Sequence, residues 1–254
     1  MFTPIGIQQG TIITEGLNVW FDFGNTQCFN PTQGTGSITA GTLFNNLAPD
    51  YPGISGSING AVNWSTAFGG CMNLTNGSTS TLQYTGAISA SFTVQVVVTP
   101  GTDALPNNNW VSDAGAWPQI PGANGLKWAQ QFSPNYLIPI LGYGASYATL
   151  SSGTQQPASG WTEYMRFPNV YTFSTNASNA HITYTNNILK GTDTSTRTRS
   201  NQTSVATAYL NTDIDIANRK GIGRICAYLS YNRQLSDAEI YQNVQFYLNR
   251  FGTK

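Results

Sequence analysis

Two aspartates at alternate positions, Asp213 and Asp215 in the run Asp213-Ile214-Asp215-Ile216, are the side chains best placed to do chemistry. On a strand, residues i and i+2 share a face and sit about 6.6 Å apart. Two carboxyl groups can serve as nucleophile and acid in glycoside hydrolysis, provided one is held protonated beside the leaving group. The next alternate position is Ala217, so no further acid follows, and Arg219 and Lys220 stand close by. The run is expected to be a polar strand face. No residue is assigned as catalytic and the chain is expected not to be an enzyme, with a glycoside hydrolase ranked third among its readings.

His181, the one histidine, precedes Ile182-Thr183-Tyr184 on an expected strand. A lone imidazole can act as a general base. No G-x-S-x-G motif offers it a nucleophile, so a structural or surface histidine is expected. With one His and no C-x-x-C, a zinc site is not expected, nor is any other metal or cofactor.

Aromatic residues carry the binding chemistry. Trp110, Trp117, Trp128 and Trp161, with Tyr136, Tyr143 and Tyr147, could stack on sugar rings. Asn107, Asn108 and Asn109 could bind hydroxyl groups, and Asn107 and Asn109 are taken with the four tryptophans as the carbohydrate-binding candidates. Ahead of a sugar platform, these aromatics are expected to anchor loops in the core or to bury at a protein interface, where Trp and Tyr are enriched. Near the start, Phe2, Ile5 and Ile7 lie in an apolar stretch without helical or strand periodicity. Such an arm, residues 1–14, is usually a disordered end; it could instead dock on a neighbouring subunit and is taken as an assembly arm.

The elements that must position these residues are mostly strands. Leu17, Val19, Phe21 and Phe23 alternate with Asn18, Trp20 and Asp22; Phe92, Val94, Val96 and Val98 alternate with Thr93, Gln95 and Val97. Ile225, Ala227, Leu229 and Tyr231 alternate with Cys226, Tyr228 and Ser230. A period of two places one set on a buried face. Turn signals between the runs, such as Asn59-Gly60 and Asn76-Gly77, predict an all-β sandwich. Ser236-Asp237-Ala238-Glu239 is a capping box that starts a helix over about 236–251. Ile240, Val244, Tyr247, Leu248 and Phe251 form its apolar stripe, and Arg250 suits its negative end. Residues 101–168 carry many prolines and are expected to be long loops with short strands, Leu137–Leu141 and Tyr147–Leu150 among them.

Composition narrows the partners. Eleven acidic and eleven basic residues cancel, and charged residues make up 9% of 254. A duplex binder needs uncompensated cations, so nucleic acid is not expected. Solubility comes from 25 Asn, 31 Thr and 21 Ser instead, a composition common in virus particle proteins and extracellular β-modules. No segment approaches the roughly 20 apolar residues of a membrane span. The opening residues lack the features of a signal peptide. Cys28, Cys71 and Cys226, odd in number and far apart, do not predict a disulfide framework.

Three segments resemble a known family. Ile13-Thr14-Glu15-Gly16-Leu17 through Asp22-Phe23-Gly24-Asn25 is similar to the I-x-x-G-L-x-x-x-x-D-A-G-N opening strand of concanavalin A-like, laminin-G-like jelly-roll domains of tailed-phage structural proteins. Gly56-Ser57-Ile58-Asn59-Gly60, Gly69-Gly70-Cys71-Met72-Asn73-Leu74 and Ala90 to Val98 are similar to its next strands. Ile222 to Ile240, containing Tyr231-Asn232-Arg233-Gln234-Leu235-Ser236, resembles its closing strand and helix. The resemblance implies an antiparallel two-sheet jelly roll with a C-terminal α-helix, one domain over residues 15–254. Relatives that bind calcium use loop carboxylates, which are scarce here. Glucanases of this fold need a further Glu where this chain has Ala217.

The resemblance implies a virion structural protein: a capsid-decoration, head-fibre or tail accessory subunit. Its partners would be other virion proteins and further copies of the chain. The alternative is a carbohydrate-binding, lectin-like adhesion module for host-surface glycans.

Overall fold

The structure, a computed structural model, describes residues 11–30, 37–60, 62–74, 81–86, 89, 91–100, 116–120, 126–131, 136–143, 146–149, 154–155, 168–176, 181–185, 188–193, 206–210 and 223–251. In chain order the first strands are β1 (Leu17–Asp22), β2 (Ser37–Ile38), β3 (Leu43–Asn45), β4 (Ser55–Asn59), β5 (Val62–Ser65) and β6 (Cys71–Leu74). Then come β7 (Thr81–Gly86), β8 (Phe92–Pro100), β9 (Ala116–Ile120), β10 (Leu126–Gln131), β11 (Tyr136–Tyr143) and β12 (Ser146–Thr149). The last are β13 (Thr154–Gln155), β14 (Asn169–Thr175), β15 (His181–Thr185), β16 (Ile188–Asp193), β17 (Ala206–Tyr209) and β18 (Gly223–Tyr231), followed by helix α1 (Asp237–Phe251).

The strands form two nine-stranded sheets. One runs β16-β15-β14-β8-β18-β6-β5-β2, with β1 also on β18; the other runs β12-β11-β10-β9-β17-β7-β4-β3, with β13 on β11. The architecture is the antiparallel two-sheet jelly-roll sandwich with a C-terminal helix that the sequence predicts.

The inter-sheet core follows the period-two pattern. Val19, Phe21 and Phe23 from β1 and its end meet Phe92, Val94 and Val96 from β8, and Phe44, Ile58, Leu82 and Tyr84 from the second sheet. Phe21 meets Phe44 edge-on, with ring centroids 4.7 Å apart. Tyr84 and Tyr228 join the sheets through their hydroxyls, 2.8 Å apart. Burial pushes both phenols above their ordinary range.

β18 departs from simple alternation. Its register slips between Ile225 and Ala227. The bulge reverses the parity of the strand. Ile225 therefore shares the inter-sheet core with Tyr228, whereas Ala227, Leu229 and Tyr231 face the helix. Alternation alone placed all four apolar residues on one face; the bulge divides them between two buried faces.

The same strand corrects the cysteine expectation. Met72 on β6 pairs with Ile225 on β18, which brings Cys71 opposite Cys226. The two are disulfide-bonded, with Cα atoms 4.2 Å apart across 155 residues of sequence. Cys28 stays free and buried.

Helix α1 starts at the capping box: the Ser236 N–H donates to Glu239 Oε2 at 2.8 Å, and the Glu239 N–H donates to Ser236 Oγ at 3.4 Å. Ile240, Val244 and Tyr247 bury its stripe against β18 and β8 residues. At its centre lies a saturated amide. Asn243 Nδ2 donates to Gln95 Oε1 at 2.7 Å and to the Tyr231 hydroxyl at 2.8 Å, while Asn243 Oδ1 accepts the Ile13 N–H at 2.9 Å. Residues 11–14 of the expected arm thus lie along the helix, with Ile12 buried beside it. Phe2, Ile5 and Ile7 fall outside the described residues.

Residues 101–168 contribute five strands, β9 to β13, where the proline content predicted mainly loops. Two of the prolines sit where a strand tolerates a missing N–H. Pro118 falls at the register slip between β9 and β10. Pro139 falls on β11 between the stretch paired with β13 and the stretch paired with β12.

Candidate functional site

The described strands bring together two of the six carbohydrate-binding candidates. In the antiparallel pair of β9 and β10, Trp117 is directly opposite Trp128. On the other side of β10, Trp128 is opposite Pro139 of β11. Direct cross-strand pairs of this kind, aromatic ones included, are the units by which a sheet is stabilised. Trp110, Trp161, Asn107 and Asn109 lie outside the described residues, as do Asp213 and Asp215. His181 is at the start of β15, in the opposite sheet.

A second region is a cleft of about 490 Å³ on the helix side of the first sheet. It lies where β1 gives way to the following turn, beside residue Gly69 and the last turns of α1. Trp20 and Asp22 come from β1, and Phe246, Asn249 and Arg250 from α1. Such volumes fall within the roughly 300–1,000 Å³ of small-ligand pockets. Alternation explains the first pair: with Val19 and Phe21 in the inter-sheet core, Trp20 and Asp22 must project the other way. Helical spacing explains the second: Phe246 and Arg250 are i and i+4, neighbours on one face.

The cleft is rigidly wired. Asp22 is 2% exposed; its Oδ2 accepts from Arg250 Nη1 and its Oδ1 accepts the Gly24 N–H at 3.1 Å. The Trp20 indole N–H donates to the Tyr247 hydroxyl at 2.9 Å, which fixes the ring. Gly24 is required by close approach: a Cβ there would stand 1.8 Å from Arg250 Nη2 and 2.3 Å from the Gly69 carbonyl oxygen. Arg250, expected only to complement the helix dipole, is thus the hinge pin between the two ends of the chain.

The motifs at those ends also interlock. Gly16 has φ +74°, and a Cβ there would lie 2.8 Å from Asn232 Oδ1 and 3.0 Å from Arg233 Cγ. The Asn232 N–H donates to the Gly16 carbonyl at 2.8 Å. Arg233 grips Glu239 with two bonds of 3.0 and 2.6 Å and donates from Nε to the Glu15 carbonyl at 3.0 Å. Those bonds pull the Glu239 carboxyl down to about 2.

No group of three or more metal-ligating side chains occurs among the described residues. No helix among them is long and apolar enough to cross a membrane. Sequence reasoning missed Trp20, Phe246 and Arg250. Trp20 did leave a signal, being a large aromatic at a position that the alternation of β1 assigns to the polar set.

The sequence matches no protein-family profile and no curated protein. Solved structures do resemble it. Domain 4 of AbnA, a GH43 extracellular arabinanase from Geobacillus stearothermophilus, solved in complex with arabinotriose, is similar over 90% of this chain and 98% of that one, at 14% identity and a TM-score of 0.63. The binding domain of botulinum neurotoxin serotype D/C is similar over 92% of this chain, at 15% identity and a TM-score of 0.62. The binding domain of Paraclostridial Mosquitocidal Protein 1 is similar over 93%, at 12% identity and a TM-score of 0.63. The chain spans about half the length of these two binding domains, 52% and 53%. At such identities the likeness establishes a shared β-sandwich fold.

Proposed function

We propose that this chain is a non-catalytic, lectin-like carbohydrate-binding domain. The observation that carries it is the register of β9 and β10. It sets Trp117 across from Trp128 in a sandwich whose nearly full-length neighbour was solved with arabinotriose. Aromatic faces stack on the C–H faces of sugars, and a paired set on neighbouring strands gives such a ligand a platform. A near-zero charge balance suits neutral glycans, since it leaves little field to select ions. Asp22, the one carboxylate among the described residues that line the cleft, is engaged by Arg250 and the Gly24 N–H, which supports binding over hydrolysis there. The test is a glycan array followed by titration of the best neutral oligosaccharide. Binding that falls on Trp128→Ala supports the proposal; an array without signal removes it.

A second reading, a virion structural subunit, rests on the opening and closing motifs of the sequence. Under it the domain travels in a tailed-phage particle, with residues 1–12 of the arm making an assembly contact. Co-purification with particles, lost on deletion of those residues, supports it. Incorporation unchanged by the deletion removes the arm from that role.

A further inference from the structure

We propose that the cleft between β1 and the end of α1 is a second ligand site, separate from the tryptophan strands, that takes a neutral, hydroxyl-rich unit such as a terminal sugar of an oligosaccharide. The choice of a sugar rests on the glycan-binding reading above.

Three observations carry the assignment. First, the cleft combines two ring systems, Trp20 and Phe246, with amide and guanidinium groups of Asn25, Asn249 and Arg250. Ligand sites pair apolar walls with a few fixed polar groups in this way. Both aromatics are only partly buried, so an aromatic surface remains to be covered. Secondly, the Arg250 guanidinium and the Trp20 ring are held before any ligand arrives. Asp22 is a positioning residue: at 2% exposure it offers little to a ligand, but it fixes the guanidinium of Arg250, whose side chain is 23% exposed. The Trp20 ring is fixed through Tyr247. Groups that are already ordered spare a ligand the entropy of ordering them. Thirdly, the paired charges cancel within the site. An anionic ligand would gain from Arg250 but would face the Asp22 carboxylate behind it. A neutral polyol instead accepts from the guanidinium and exchanges bonds with the asparagine amides without desolvating a charge of its own.

Asn249 and Thr26 are exposed at the rim, so they allow the cleft to be blocked without touching its wiring. Asn249→Trp and Thr26→Trp are to be compared with Trp128→Ala and the unaltered protein. Each is titrated calorimetrically with the neutral oligosaccharide that the array selects and with its uronic-acid-terminated counterpart. The expected result is two sites on the unaltered protein and loss of one, by about tenfold or more in affinity, in each rim variant. Melting temperatures should be unchanged. Chemical-shift perturbation of the Trp20 indole N–H by the neutral ligand, absent in Asn249→Trp, is the second expected signature. Rim variants that keep full binding while Trp128→Ala loses it overturn this site and leave the glycan reading standing. Preference for the uronic-acid ligand at the cleft overturns the neutral-ligand assignment. No glycan binding by the unaltered protein overturns both.

Discussion

Asp22, at the end of the first strand, is ion-paired with Arg250 in the last helical turn, across 228 residues of sequence. The pair ties the opening of the chain to its close and shapes the cleft between them. Its two partners are unequally buried, so they are predicted to respond unequally. Removing Arg250 strands a carboxylate that is 2% exposed. Arg250→Ala is expected to lower stability by about 2–3 kcal/mol, below the roughly 3–5 kcal/mol of a fully buried pair because Arg250 is partly solvated. Asp22→Asn with Arg250→Met should recover part of that loss, read from urea denaturation midpoints of the single and double variants.

The disulfide makes a separate prediction. Cys71 and Cys226 close a long loop on two adjacent strands. Reduction, or Cys71→Ala with Cys226→Ala, is expected to cost about 2–4 kcal/mol. Cys28 should not react with a thiol reagent in the folded protein, since burial pushes its thiol up to about 12. It should react fully once the protein is unfolded. A thiol titration with and without denaturant checks both points.

Acid should loosen the helix anchor. Glu239 is held down to about 2, chiefly by its bonds with Arg233, against an ordinary value of 4.5. A carboxyl with a depressed folded value stabilises fully above its unfolded pKa and loses that contribution as pH falls toward the folded one. The Glu239 contribution is therefore expected intact above pH 4.5 and lost progressively toward pH 2. Glu239→Gln should be less stable than the parent at neutral pH and should converge with it at acid pH, in denaturation curves taken across that range.

Gly16 offers a sharper local test. Its positive φ strains any side chain, and a Cβ there would press on Asn232 Oδ1 and Arg233 Cγ, which would have to shift. Gly16→Ala is expected to cost about 1–3 kcal/mol, measured by thermal melting against Gly41→Ala, whose positive φ is similar but whose Cβ would meet nothing.

Much of this framework was legible in the sequence, because local rules decide it. The alternation of Phe92, Val94, Val96 and Val98 fixes one face of β8, and Ser236 with Glu239 announces the helix. What was hidden depends on register. No local pattern reveals the bulge after Ile225 that splits the apolar residues of β18. Nor does spacing reveal that Cys71 and Cys226 face each other, because 155 residues separate partners on neighbouring strands. The prolines at 118 and 139 predicted loops, yet Pro118 sits at the register slip of β9 against β10, and Pro139 is paired with Trp128 on one side and falls between the β13 and β12 pairings on the other. Arg250 looked complete as a dipole partner, and its bond to Asp22 needed the fold to bring the chain ends together. Of the site, Trp117 and Trp128 were named from residue type alone, and the register of β9 and β10 supplied their pairing.

The central claim is that the domain binds neutral glycans without cleaving them. Its most direct test incubates the protein with the neutral oligosaccharide selected on the array, following binding by calorimetry and chain length by mass spectrometry in one sample. The account predicts saturable binding, reduced by Trp128→Ala, with the oligosaccharide recovered intact. Cleaved product, or no binding to any glycan on the array, would contradict it.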